Sequence, residues 1–131
     1  MEVIEHGGRR YAEIIRAGTD VETSTFFSPS SSSFQFGLLA HDAGFVEGAH
    51  YHPKITRTIE DVQQMFVVQR GVVAVDFFTD QGTKFDEVVL RSGDAILLVS
   101  GIHALRVLEA MQCVSVKQGP FLGTENGDSC F

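Results

Sequence analysis

The sequence predicts an all-β domain, and three observations carry that reading. Apolar and polar residues alternate with a period of two along most of the chain. The i, i+3, i+4 stripes of amphipathic helices are missing. Pairs of Gly, Asp or Ser interrupt the apolar runs at short intervals. Many short strands at even spacing fit a sandwich or a barrel. At 131 residues, 44% hydrophobic with 11 phenylalanines and no tryptophan, the chain suits one domain over 1–131 with one core.

Taken in order, N-terminal strands occupy about 1–33, with RYAEIIRA (10–17) the most apolar. The Ser-rich SPSSSSF (28–34) reads as a surface connection with too little bulk to pack. The barrel core spans about 34–118. Its strands are FQFGLLAH (34–41), EGAHYH (47–52), QQMFVVQR (63–70), VVAVDFFT (72–79), FDEVVL (85–90), AILLVS (95–100), HALRVLE (103–109) and CVSVKQ (113–118). Turns part them at Asp42–Gly44, Arg70–Gly71, Asp80–Gly82, Ser92–Asp94 and Ser100–Gly101. The clearest hairpin is VVAVDFFTDQGTKFDEVVL, where Gly82 supplies the φ > 0 residue its loop needs. RTIEDVQQ (57–64) is the one place for a helical turn. The tail, about 119–131, is acidic and glycine-containing, so an irregular end is expected, with Phe131 able to dock in a groove.

A net charge of -7 argues against nucleic acid as a partner, because that affinity rests on Lys and Arg displacing counterions. No secretory apolar region opens the chain and no run approaches the roughly 20 apolar residues of a membrane span, so no membrane partner is expected and a cytoplasmic setting is the default. Two cysteines make no disulfide framework: Cys113 reads as a small core hydrophobe, and Cys130 stands next to the last residue.

The chemistry gathers on histidines. In a strand, residues two apart share a face, so HYH would project His50 and His52 side by side with Tyr51 pointing away. On the next strand Gln64, Phe66 and Val68 share a face, and His103 opens a strand after GDAILLVSG. Three imidazoles from two distant hairpins would supply the nitrogen ligands of an open metal site. The same histidines would otherwise be polar barrel-lining groups. His6 and His41 stand outside this set.

At these residues the chain resembles the cupin superfamily. Gly44, five residues, His50-x-His52, a spacer, Gln64, six residues and Gly71 follow its first motif. Gly93, five residues, Val99, Ser100, Gly101 and His103 follow its second, with valine for the proline and the histidine one residue early. The match covers about 37–118 and is similar to small single-domain cupins associated with bacterial surface-polysaccharide gene sets. Two features depart from the pattern. The spacer after His52 has eleven residues, and Gln64 stands where the family has glutamate, which leaves a divalent ion without a protein charge and favours anionic ligands. Glu60 and Asp61, in the spacer, are the carboxylates that could stand in.

The resemblance implies a cupin-type jelly-roll β-barrel with a divalent ion (Zn, Fe, Ni or Mn) on His50, His52, Gln64 and His103, and a small-molecule ligand such as a sugar derivative in the barrel mouth. Phe66 and Val68, with Leu105 and Val107, would wall the pocket. Gln35, Tyr51, Arg106 and Lys117, with Lys54 and Arg57, are the substrate-contact candidates. Three functions remain open. One is isomerisation or epimerisation of a sugar or sugar-nucleotide carbonyl. The second is Fe(II)-dependent dioxygenation of a small substrate, and the third is non-enzymatic binding or sensing of a small ligand. A homodimer joined through RYAEIIRA is also implied.

Overall fold

The computed structural model describes residues 1–121, so Cys130, Phe131 and most of the expected irregular tail lie outside the described residues. Among the described residues every regular element is a strand, in the order β1 (Glu2–His6), β2 (Arg9–Ile15), β3 (Thr25–Phe26), β4 (Gly37–Leu38), β5 (Gln64–Phe78), β6 (Lys84–Arg91), β7 (Ala95–Leu98) and β8 (Ile102–Lys117). No helix forms over 57–64. No helix among these residues is long and apolar enough to cross a membrane.

One antiparallel sheet runs β1-β2-β7-β5-β6, with β8 on the other side of β5, and it curls strongly into a half-barrel. The curl can be read from the register. Gln64 pairs with Leu98 and Phe78 with Ile102, so four residues, at most about 14 Å of chain, join points beside the two ends of β5. A straight strand of that length would hold its ends roughly 46 Å apart. β5 must therefore bend, and register shifts cluster between Val68 and Val73. Gly71, at φ 90°, sits in the bend; a Cβ there would run into the Ala110 carbonyl and the Met111 Cα of β8.

This corrects the expected turn at Arg70–Gly71: QQMFVVQR and VVAVDFFT are halves of one strand, and HALRVLE and CVSVKQ likewise fuse in β8. The β5–β6 hairpin stands as expected, with Gly82 at φ 87° donating its N–H to the Thr79 carbonyl (2.8 Å). β7 and β6 fall within two residues of expectation. β1 was not anticipated. Its signal was the two-glycine loop Gly7–Gly8, both at positive φ, which hairpins it onto β2.

The concave core joins Ile4, Ala12, Ile14, Phe66, Val68, Val73, Val75, Phe77, Leu90, Ile96 and Leu98, all buried. Phe77 meets the edge of Tyr11 at 6.3 Å. Arg16 ties β1 to β6 and to the β6–β7 turn across the curl of the sheet. Its Nη1 donates to the Val89 carbonyl (2.6 Å) and to Asp94 (3.1 Å), and its Nε to Glu2 (2.6 Å).

A second cluster covers the convex face, where Phe27, Phe34, Phe36 and Leu38 pack on Ile15 and Leu97. Here the Ser-rich segment departs from expectation. Ser28 is buried, its hydroxyl donating to Glu13 Oε1 (2.7 Å) and accepting from the Phe36 amide (2.9 Å). Glu13 is fully buried, and Arg10 neutralises its other oxygen at 2.9 Å. Burial of both ions and hydroxyl is tolerable because each has a partner. The expected strand 34–41 shrinks to Gly37–Leu38, and RYAEIIRA is an interior strand between β1 and β7, unavailable for dimer pairing through its edges.

Candidate functional site

Gln64 and Lys117 begin and end their strands as a registered pair, and Leu98 flanks Gln64 on its other side. The bend of the β5–β8 ribbon brings the opposite end of β8 back to them. His103, fourteen positions before Lys117 on the same strand, lines one cavity of about 180 Å³ with Gln64, Leu98, Ser100, Gly101, Lys117, Asp61 and Val62. Gly101, at φ 84°, forms part of the wall because its backbone lies against the Tyr11 ring, where a Cβ has no room. Ser100 is fixed by accepting from Arg9 Nε (3.0 Å) and donating to the Arg10 carbonyl (2.9 Å).

The residue His103 is exposed at the cavity mouth, but its imidazole is sufficiently desolvated to hold its pKa below the ordinary histidine value; a hydrogen bond to the Gly101 backbone pulls weakly the other way. A neutral ring offers a lone pair. Gln64 Nε2 donates to Ser115 Oγ at 2.9 Å, which leaves the amide carbonyl as the group that can meet a cation or a ligand N–H.

The expected partners of this pair stand elsewhere. EGAHYH is not a strand. Every residue from His41 to Val62 is exposed on an arm without regular pairing, so His50 and His52 do not share a strand face. They still meet locally, ring centroids 5.3 Å apart and nearly perpendicular. His50 is held at both nitrogens, by the Gly48 carbonyl (2.8 Å) and Glu47 (3.0 Å). No group of three or more His, Cys, Asp or Glu side chains among the described residues stands close enough to hold a metal ion.

Of the other expected contacts, only Lys117 reaches the cavity. Phe66 and Val68 are buried in the concave core instead of walling the pocket. Leu105 and Val107 are about half exposed on β8. Arg106 lies on the convex face, where it grips Asp76 with Nε (2.6 Å) and Nη2 (2.9 Å) and holds that carboxyl down at about 2, with Lys84 assisting. Gln35 donates to the Pro29 and Ser32 carbonyls and ties the Ser-rich loop. Tyr51 is exposed on the arm, with Lys54 and Arg57. Cys113 packs half-buried against the core as expected, with its thiol pKa pushed up by burial.

The lining residues that sequence reasoning undervalued are Asp61 and Ser100. Of the two spacer carboxylates that could stand in for the family's glutamate, Asp61 is the one at the cavity; its signal was its place three residues before Gln64, at the mouth of β5. No protein-family model, no curated protein and no solved structure matches the chain.

Proposed function

We propose that the chain is a metal-binding small-molecule cupin. Its jelly roll closes when an arm lies along the unpaired edge of β8, gathering His50, His52 and His103, with Gln64 as fourth donor, round one divalent ion. The observation that carries this reading is the convergence of Gln64 and His103 on one cavity from opposite ends of the bent β5–β8 ribbon. The donor chemistry supports it. His103 is held toward its neutral form, Gln64 keeps a carbonyl oxygen available, and His50 and His52 already stand ring to ring. On forming the site His50 gives up Glu47 or Gly48. Asp61, at the cavity wall, supplies the carboxylate that Gln64 does not.

A bound divalent ion supplies Lewis acidity toward a carbonyl oxygen. The side chains do the rest. Lys117 draws an anionic group of the substrate to the mouth, and Asp61 takes the proton from the carbon beside the carbonyl and delivers it either to the former carbonyl carbon, as the hydroxyl proton passes to the carbonyl oxygen, or to the opposite face of the same carbon once that carbon has turned over. This amounts to isomerisation or epimerisation of a sugar or sugar-nucleotide carbonyl. A cavity of about 180 Å³ falls below the roughly 300–1,000 Å³ of drug-sized pockets, so it admits a sugar ring and leaves a nucleotide outside.

Elemental mass spectrometry of the untagged native chain, beside His50→Ala and His103→Ala, tests the reading. Near-stoichiometric metal that both variants lose is expected. Iron as the sole metal would shift the chemistry to oxygenation. No metal after reconstitution would overturn the metal site and leave a ligand-binding module.

A further inference from the structure

We infer that the arm seats on a second copy of the chain, so that two copies exchange arms and each half-barrel is closed by its partner's residues 41–62. Among the described residues, the large hydrophobic side chains left exposed lie, apart from Met1, Phe26, Leu39 and Phe121, on the arm or on β8. β8 presents Ile102, Leu105, Val107, Leu108, Val114 and Val116 along a strand paired on one side only, with β5. Charge is denser on the other outer strands: Glu2 and Glu5 among the five residues of β1, and Lys84, Asp86, Glu87 and Arg91 among the eight of β6, against Arg106, Glu109 and Lys117 among the sixteen of β8. A long edge so largely apolar is a template for another strand.

The arm carries what that edge lacks. Apart from Lys54 and Arg57, KITRTI (54–59) is all β-branched, a strand composition with no strand beside it among the described residues. A connection this long without regular structure is uncommon inside a compact domain. Every residue of the arm is exposed, and among the described residues its ordering contacts are its own: His41 stacked on Phe45 at 3.8 Å, His50 with Glu47 and Gly48, and His50 against His52. It meets the body at its roots, where His41 contacts Ser24 and where Asp61 and Val62 border the cavity.

Out and back, residues 39–62 reach roughly 40 Å from the sheet, enough to cross onto a neighbouring copy. A two-fold exchange covers both exposed surfaces in both copies at once and leaves neither over, as an isologous interface requires. The occupant of the β8 edge is therefore the arm of an identical chain. If the metal reading above holds, on which this part rests, each site takes His50 and His52 from one chain and His103 and Gln64 from the other.

The first test needs no metal. Equal amounts of ¹³C-labelled and unlabelled native chain are unfolded, refolded together and examined by isotope-filtered NOE spectroscopy. Contacts between Ile55 or Ile59 methyl groups of one copy and Leu105 or Val107 of the other are expected, with a dimer mass by sedimentation. Arm-to-β8 contacts confined to one copy, an arm that touches nothing, or a monomeric mass would each overturn the exchange. The second test mixes a His50→Ala, His52→Ala chain with a His103→Ala chain in the presence of zinc. Neither binds zinc alone. Refolded together, mixed dimers regain binding because each holds one complete site, whereas a site built within one chain stays empty in every mixture. Failure of the native chain to bind zinc, with the cross-copy NOEs intact, would remove the metal reading and leave the exchange standing.

Discussion

β2 and β8 are both apolar strands of the same sheet, yet β2 buries five consecutive residues and β8 buries none. Composition does not separate them; neighbours do. β2 has β1 on one edge and β7 on the other, the concave core on one face and the 25–38 segment on the other. β8 has β5 alone. The contrast teaches that burial in this fold is conferred by the number of covered edges and faces, and that the molecule divides into a finished half and a half awaiting cover.

The largest effect should come from the finished half. Phe77→Ala removes a fully buried ring from the core and should cost about 3–5 kcal/mol in urea unfolding. Val107→Ala on β8 is the direct contrast. On an open edge it should change stability by within about 0.5 kcal/mol. Covered by a partner's arm it should cost up to about 2 kcal/mol, and only at chain concentrations that hold the dimer together.

Ser28→Ala asks whether the convex cover belongs to the finished half. It strips one hydrogen bond from buried Glu13 and one from the Phe36 amide, and about 1–3 kcal/mol should be lost, read by the same unfolding curves. Gly71→Ala, at φ 90° and against the β8 backbone, should cost more than about 1 kcal/mol and loosen the pairing of Val72 and Val73, seen as faster amide exchange there.

The smallest effects lie on the convex rim, where Asp76 of β5 meets Lys84 of β6 and Arg106 of β8. The Asp76 carboxyl titrates at about 2 instead of its ordinary 3.8, so its contribution is complete above that ordinary value and is lost as pH falls toward about 2. Asp76→Asn should flatten the acid limb of stability between those values. Lys84→Ala, at an exposed side chain beside the same carboxylate, should barely move the unfolding midpoint and lose even that effect in high salt.

Much of the finished half was legible in the sequence. Alternation located β2, β6 and β7, and Gly82 located the β5–β6 turn, because local geometry decides each of these. Gln64 and His103 were singled out together, and they do line one cavity. The rest failed for one physical reason. Period two says which residues share a face only once a strand exists, and a strand exists only beside a neighbour. His50 and His52 have the right spacing but no adjacent strand in the single chain. Phe66 shares a face with Gln64 but lies deeper, inside the core, and Arg106 alternates with His103 onto the opposite face, beside Asp76. Ser28 looked like loop filler because its buried partner, Glu13, lies fifteen residues away.

The bent ribbon also sets how the chain can reach this state. β5 and β8 pair over their whole lengths across a large sequence separation, and their register closes only after the β5–β6 hairpin and β7 have taken up the intervening chain. Such high contact order makes assembly slow, with the hairpin forming first and β8 zipping on last. Until β8 arrives, one edge of β5 stands open along its whole length, so the rate at which Ile102 finds Phe78 governs how long the chain remains open to wrong partners.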